Sequence, residues 1–253
     1  MEIPGPLVRT AHADAWAVSS GGRPGGAHAE FGGARTACSG TDFAQYNAAD
    51  LDDPARTDPL AVAAWFAARA TPWAWRLPAS TPWPDGWPGG EPIVRQRLAG
   101  LWPASSRPVD VPAGTSVRTA SAGQPGDLDA VVAVDVAAFG GPPGAAREWL
   151  GGLLANGRVE VAIAHVDGVP VASAHTVRSD GRAGPAVLLA GVAVLPAARR
   201  RGIAAGLSSW LLGRAFARGA ALAHLQPDDD RAARVYARLG FTEVEALDVR
   251  TAG

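Results

Sequence analysis

Short apolar runs and longer amphipathic stretches alternate along this chain, and the two periods separate candidate strands from candidate helices. Val159–His165 and Val169–Val177 are β-rich runs parted by Asp167-Gly168, a dipeptide suited to a two-residue hairpin turn. Ala186–Val194 is nearly all apolar and of strand length, the pattern of a strand covered on both faces. Helical spacing follows at 203–218, where Ile203, Leu207, Trp210 and Leu211 share one stripe. Around these, Ser116–Ala120, Ala221–Gln226 and Phe241–Val249 read as strands, and Asp127–Phe139, Pro142–Ala155 and Asp228–Leu239 as helices. The order is strand, two helices, three antiparallel strands, helix, strand, helix, strand. It predicts an α/β (α+β) domain on a mixed, mostly antiparallel central sheet flanked by helices.

Before residue 112 the pattern is less regular. Leu7–Val18 predicts a helix, Gly21–Gly26 a turn-rich break, and Ala27–Phe31 and Ala34–Cys38 two short strands. In Asp58–Ala70, Asp58 can cap a helix, Pro59 suits its first position, and Leu60, Ala63, Ala64 and Ala67 recur at helical spacing. The segment TPWAWRLP then reads as a strand. Six of the nine tryptophans cluster between Trp65 and Trp102, within this half. The Pro-containing stretch Ser105–Pro112 marks a candidate boundary, giving domains of 1–112 and 113–253, and 253 residues suit two domains.

Composition narrows the partners. Lys and Arg number 23 against 24 Asp and Glu, a net charge of −1, so no overall basic field exists to hold nucleic acid by counterion release. One cysteine, Cys38, excludes an internal disulfide framework and leaves no zinc cluster to build, which fits a reducing cytoplasm. No apolar run reaches the ~18 residues of a membrane span, and the N-terminus lacks a signal-peptide pattern. The expectation is a cytoplasmic protein without metal, membrane or nucleic acid.

Against that near-neutral background, AARRRGIAAG at 197–206 stands out. A strand ending at Val194, a proline at 196, and Arg199-Arg200-Arg201-Gly202-Ile203-Ala204 opening a helix make a strand–loop–helix anion site. Free N–H groups and about half a positive charge gather at such a helix start, and small residues let an anion reach the backbone. Taken alone, the ten residues fit a solvated turn equally well.

The wider stretch VAVLPAARRRGIAAGL resembles the acetyl-CoA motif of the GNAT acyltransferase superfamily, with Arg199, Gly202 and Ala204 at its three defining positions. DDDRAARVYARLGF, 228–241, resembles the superfamily's later motif: Ala232, Val235, Tyr236, Gly240 and Phe241 are in register, and Asp229 stands where asparagine is common. The resemblance spans about 115–250. It implies the GNAT fold, acetyl-CoA as co-substrate, and N-acetylation of a small-molecule amine.

Residue by residue, the resemblance assigns the pyrophosphate to the Arg199–Ala204 loop, and the pantetheine and thioester to the backbones of Val192, Ala193 and Val194. Asp229 and Ala232 would flank the pantetheine arm, although an ionised Asp accepts hydrogen bonds without donating them. Tyr236 would be the acid for the leaving thiolate, or else a core tyrosine beside Val235 and Leu239. The family's frequent glutamate is missing from LLAGVAV, so His175 and His165, on the preceding strands, are the candidates that could help through a water, though a strand histidine is more often structural. The first half looks like the degenerate N-terminal part of two-part actinobacterial members. Its tryptophans would either line the acceptor pocket or fill a core. The rival functions are a catalytically silent CoA-binding or peptide-binding module, and transfer of another acyl group or to an oxygen acceptor.

Overall fold

The computed structural model describes residues 2–42 and 44–252. The first half runs through α1 (Gly5–Gly21), the hairpin β1 (Ala27–Phe31) and β2 (Ala34–Cys38), then β3 (Ala48–Leu51), α2 (Pro59–Ala67), β4 (Ala74–Pro78) and β5 (Pro92–Leu101). The second continues with β6 (Thr115–Thr119), α3 (Asp127–Phe139), α4 (Pro143–Ala155), β7 (Val159–Val166), β8 (Val169–Gly181) and β9 (Gly184–Val194). It ends with α5 (Ile203–Ala217), β10 (Leu222–Leu225), α6 (Asp230–Arg238) and β11 (Thr242–Thr251). Local chemistry sets these boundaries. Asp167 and Gly168 take φ of 51° and 77°, the paired positive values of a tight hairpin. Asp58 accepts the Leu60 N–H at 2.9 Å and Pro59 opens α2, as expected from their order.

Among the described residues eleven strands join one sheet in the order β1-β2-β3-β4-β11-β5-β10-β9-β8-β7-β6. It is the mixed, largely antiparallel sheet the sequence predicts, since only β3–β4 and β9–β10 pair in parallel. The two halves repeat one plan: three antiparallel strands, a helix, and a strand parallel to the third, seen in β1-β2-β3-α2-β4 and in β7-β8-β9-α5-β10. Beyond each parallel pair the next strand comes from the opposite half. β11 lies on β4, β5 lies on β10, and β5 and β11 pair with each other from Thr242↔Gly100 to Arg250↔Pro92. The sheet therefore crosses the 112/113 position without a break.

Two strands escape the sequence pattern. β3 is only four residues long, all buried, so no alternation shows. In β5, Ile93 and Val94 are adjacent and both about half exposed, at 53% and 48%. Its outer part runs past the end of β10, so neither face is fully covered and the two-residue period is lost.

The segment between β5 and β6 lies across the ends of α5 and α6. Arg107 N–H bonds the Leu239 carbonyl at 2.9 Å, and Val109 N–H bonds Ser209 Oγ at 2.8 Å. This strap explains Gly206, where any Cβ would come within 2.9 Å of Val111 Cα. The main core lies between the sheet and α5, with Leu207, Leu211 and Leu101 fully buried. A second core forms around Trp75 and Phe66, ringed by Trp65, Trp73, Trp83 and Trp87, with Phe66 and Trp73 stacked at 4.4 Å. Trp75 is thus a core side chain, and the four tryptophans around it are partly buried against that core.

On the opposite face of the sheet α1 buries polar groups. The rings of His12 and His224 lie 5.8 Å apart, and Trp16 donates its indole N–H to His12 Nε2 at 2.9 Å. Burial lowers His224 to about 3 and His175 to about 4; burial, then the nearby Arg76 charge, holds His12 well below 6.5. The unfolded chain binds a proton at each near 6.5, whereas the folded chain resists. Stability from these rings is therefore complete above pH 6.5 and declines as pH falls toward 4. Urea unfolding is expected to lose about 1.4 kcal/mol per pH unit for each such histidine across that window. A flat stability profile from pH 7 to 4.5 would show that the rings are not held neutral.

Candidate active site

The site begins where two strands part. β9 and β10 pair at Ala186↔Leu222, Val187↔Ala223 and Leu188↔His224 and no further. On its other edge β9 stays with β8 to Val194↔Ala172, with an irregularity between His175 and Ser173 where Gly191 takes φ of 59°. The edge of β9 from Leu189 to Val194 thus faces β10 without a sheet partner.

The loop that follows turns sharply, with Arg200 at φ 61° and Gly202 at φ 81°. Gly202 is the N-cap of α5 and supplies no side-chain cap; the first amide to enter the helix ladder is that of Gly206, bonding Gly202 O at 3.0 Å. The N–H groups from Gly202 to Ala205 are left for a ligand or solvent, at the positive end of a 15-residue helix. The corresponding helix of the first half is closed. Asp58 occupies the head of α2 with a carboxylate, and Pro59 removes an N–H.

A cavity of about 640 Å³ lies between this loop and α6. Arg199, Arg200 and Gly202 border it from the loop, and Ile203 and Ala204 from the first turn of α5. Val192 and Val194 border it from β9, and Asp229, Ala232 and Tyr236 from α6. Residues 25 to 44 positions apart in sequence are brought together here. Ala193, Arg201 and His175 are not part of this lining. Ala193 is buried, Arg201 is exposed, and the His175 ring packs on Gly191, where a Cβ would come within 2.7 Å of it.

Individual roles differ from what the motifs imply. Arg199 points Nε at the Val194 carbonyl at 3.1 Å and Nη2 at the Ala138 carbonyl at 3.2 Å, tying the end of α3 to the end of β9. Asp229 is the N-cap of α6, accepting the Ala232 N–H at 2.7 Å, which holds its carboxyl below the usual range. Tyr236 is half-buried with its ring 6.0 Å from Phe241; burial, then the Asp228 charge, pushes its phenol above the usual 10. Asp228, also in the cavity, is itself raised by burial and by Asp229.

Sequence reading missed Arg231, Arg234 and Arg238, which line the same cavity from α6. The signal was present in RAARVYAR, whose arginines recur at helical spacing. Among the described residues no helix is long and apolar enough to cross a membrane, and no three His, Cys, Asp or Glu side chains gather to hold a metal.

No curated protein matches the chain. In fold it is similar to a GCN5-related N-acetyltransferase from Kribbella flavida, at 22% identity and TM-score 0.68 over 98% of this chain and 95% of that one. It is similar also to a GCN5-related N-acetyltransferase from Sphaerobacter thermophilus, at 17% identity and TM-score 0.60 over 86% of this chain and 76% of that one. A tandem GNAT protein from the clavulanic acid biosynthesis pathway shares the fold at 16% identity and TM-score 0.60, over 98% of this chain and 96% of that one. Residues 136–241 match the model of the acetyltransferase (GNAT) family, and this segment holds the free edge of β9, the Gly202 loop and Tyr236, so the chain carries a GNAT-family domain at 136–241.

Proposed function

We propose that this protein is an acetyl-CoA-dependent N-acetyltransferase for a small-molecule amine. The donor site belongs to the half at 113–253, and 1–112 is a degenerate GNAT-like partner that binds no donor of its own. One observation carries the reading: unpaired helix-start amides, an unpaired strand edge and a half-buried tyrosine border a single cavity. The residues fit the co-substrate. A diphosphate suits the amides of Gly202–Ala205, with Arg200 beside them, and the amide groups of the pantetheine arm suit the open edge at Val192–Val194. The closed head of α2 supports a single donor site. The near-neutral charge supports a reading without a nucleic-acid partner, and the single cysteine suits a reducing cytoplasm.

Acetyl-CoA, when bound, supplies an activated thioester carbonyl and a thiol leaving group. The open edge of β9 would direct backbone N–H groups at the acyl oxygen, where charge develops as the amine adds. The new C–N bond forms as the C–S bond breaks, the ammonium proton passes to water, and the sulfur takes up a proton. In this reading Tyr236, which lines the cavity, would meet the sulfur. Even at unperturbed pKa values, about 10 for a phenol and 8.5 for a thiol, full transfer is uphill by about 2 kcal/mol. Burial raises the phenol further. Its role is therefore to hydrogen-bond the departing sulfur, with the proton following as solvent recharges the ring.

Tyr236→Phe is expected to leave acetyl-CoA affinity within about threefold of native while lowering kcat by roughly 10²-fold, the low end for a positioned acid. A kcat within a factor of two of native would remove Tyr236 from the reaction. The reading as a whole is tested by following thiol release from acetyl-CoA over a panel of amines. Release that depends on at least one amine is expected. Donor binding without turnover across the panel would point instead to a silent CoA-binding module.

A further inference from the structure

Most arginines of this protein are already partnered. Arg76 is held by Asp50 at 2.7 Å, Arg95 by Asp248 at 2.7 Å, Arg214 by Glu160 at 2.6 Å, and Arg97 reaches Asp230 at 2.9 Å. On α6 the situation reverses. Arg231, Arg234 and Arg238 are exposed, and among the described residues none takes part in an ion pair or a side-chain hydrogen bond of the structure. They stand at positions i, i+3 and i+7, which brings them to one side of the helix. All three line the 640 Å³ cavity. The Asp229 carboxylate feels the charges of Arg231 and Arg234 but is engaged in capping α6, so among the described residues three guanidinium groups border one cavity with no ion pair to hold them.

Resting on the donor reading above, we propose that this arginine stripe is a second anion subsite, binding the phosphomonoester on the donor's ribose and so selecting CoA over its 3′-dephospho form. The diphosphate and this phosphate need separate places. The amides at the head of α5 provide one, while Asp228 and Asp229 keep phosphate away from the head of α6. Anions entering from the α5 side therefore meet α6 along its flank, at the arginines. Ala204, Ala205 and Ala232 floor the space between the two helices, leaving room for a ribose. A phosphomonoester carries about −1.5 to −2 at neutral pH and offers three acceptor oxygens, the chemistry that guanidinium forks bind best. A pantetheine thioester without the nucleotide would gain nothing from this stripe.

The test is calorimetric titration of CoA and 3′-dephospho-CoA into the native protein and into the Arg231→Ala/Arg238→Ala variant. Alanine is a good helix former, so α6 is retained, and an unchanged melting temperature without ligand checks this. The native protein is expected to prefer CoA by at least tenfold, about 1.4 kcal/mol, with the preference shrinking as salt rises. In the variant the preference should fall to within about twofold, through weaker CoA binding, with dephospho-CoA affinity held. Equal native affinities, or a preference that survives in the variant, would overturn the subsite while leaving the donor reading standing. Binding of neither ligand to the native protein would overturn both.

Discussion

Gly202→Glu is expected to abolish the rise in melting temperature that acetyl-CoA gives the native protein. A ligand that binds only the folded state stabilises it by about 2.7 kcal/mol at a hundredfold excess over Kd. For a chain of this size that is roughly 5–10 °C. Gly202 sits at φ 81°, so any side chain there adds backbone strain of about 1–2 kcal/mol, but its Cβ would meet only Pro112 Cγ, at an ordinary 3.5 Å. The fold should therefore survive. What changes is the site, because a carboxylate at the N-cap offers its own oxygens to the amides of α5 and repels the diphosphate. Gly202→Ala separates the two effects, since it adds the strain without the charge and should keep most of the ligand shift. A full shift in Gly202→Glu would mean that the phosphates bind elsewhere.

The candidate site was legible in the sequence because its residues lie in two short segments whose spacing is fixed by local structure. The Gly202 loop must end a strand and start a helix, and Tyr236 must follow two turns into the next helix. Individual side-chain partners were less legible. Arg199 occupies a motif position, yet its nearest acceptors are the carbonyls of Val194 and Ala138, and the second of these lies about sixty residues earlier. Arg231, Arg234 and Arg238 carry no motif of their own, and only the fold sets them on the cavity that α6 shares with the start of α5. His175 alternates correctly along β8 and reaches the bulge of β9, where burial holds its pKa at about 4. Periodicity gives the face of a strand, and whether that face is open depends on what packs over it.

The exchange of strands between the halves was illegible for a related reason: no local pattern says which strand a segment will pair with. Its consequence is that residues 113–253, expressed alone, are expected neither to melt cooperatively nor to bind acetyl-CoA. Without β5 the fragment loses Leu98 and Leu101, both fully buried. Truncating a buried leucine to alanine typically costs about 2–5 kcal/mol, and losing the strand removes more than two such truncations. The usual total stability of a domain is only about 5–15 kcal/mol. The same cut leaves β11 without either neighbour, β4 or β5, and bares the β10 edge beside the donor site, creating strand edges prone to aggregate. Co-expressing 1–112 with 113–253 should restore a soluble complex that binds acetyl-CoA, because each piece then supplies the strand the other lacks. A monomeric 113–253 fragment with a cooperative melt and native acetyl-CoA affinity would show that β5 is dispensable and that the two halves are independent units; its absence would establish the first half as a structural part of the donor domain.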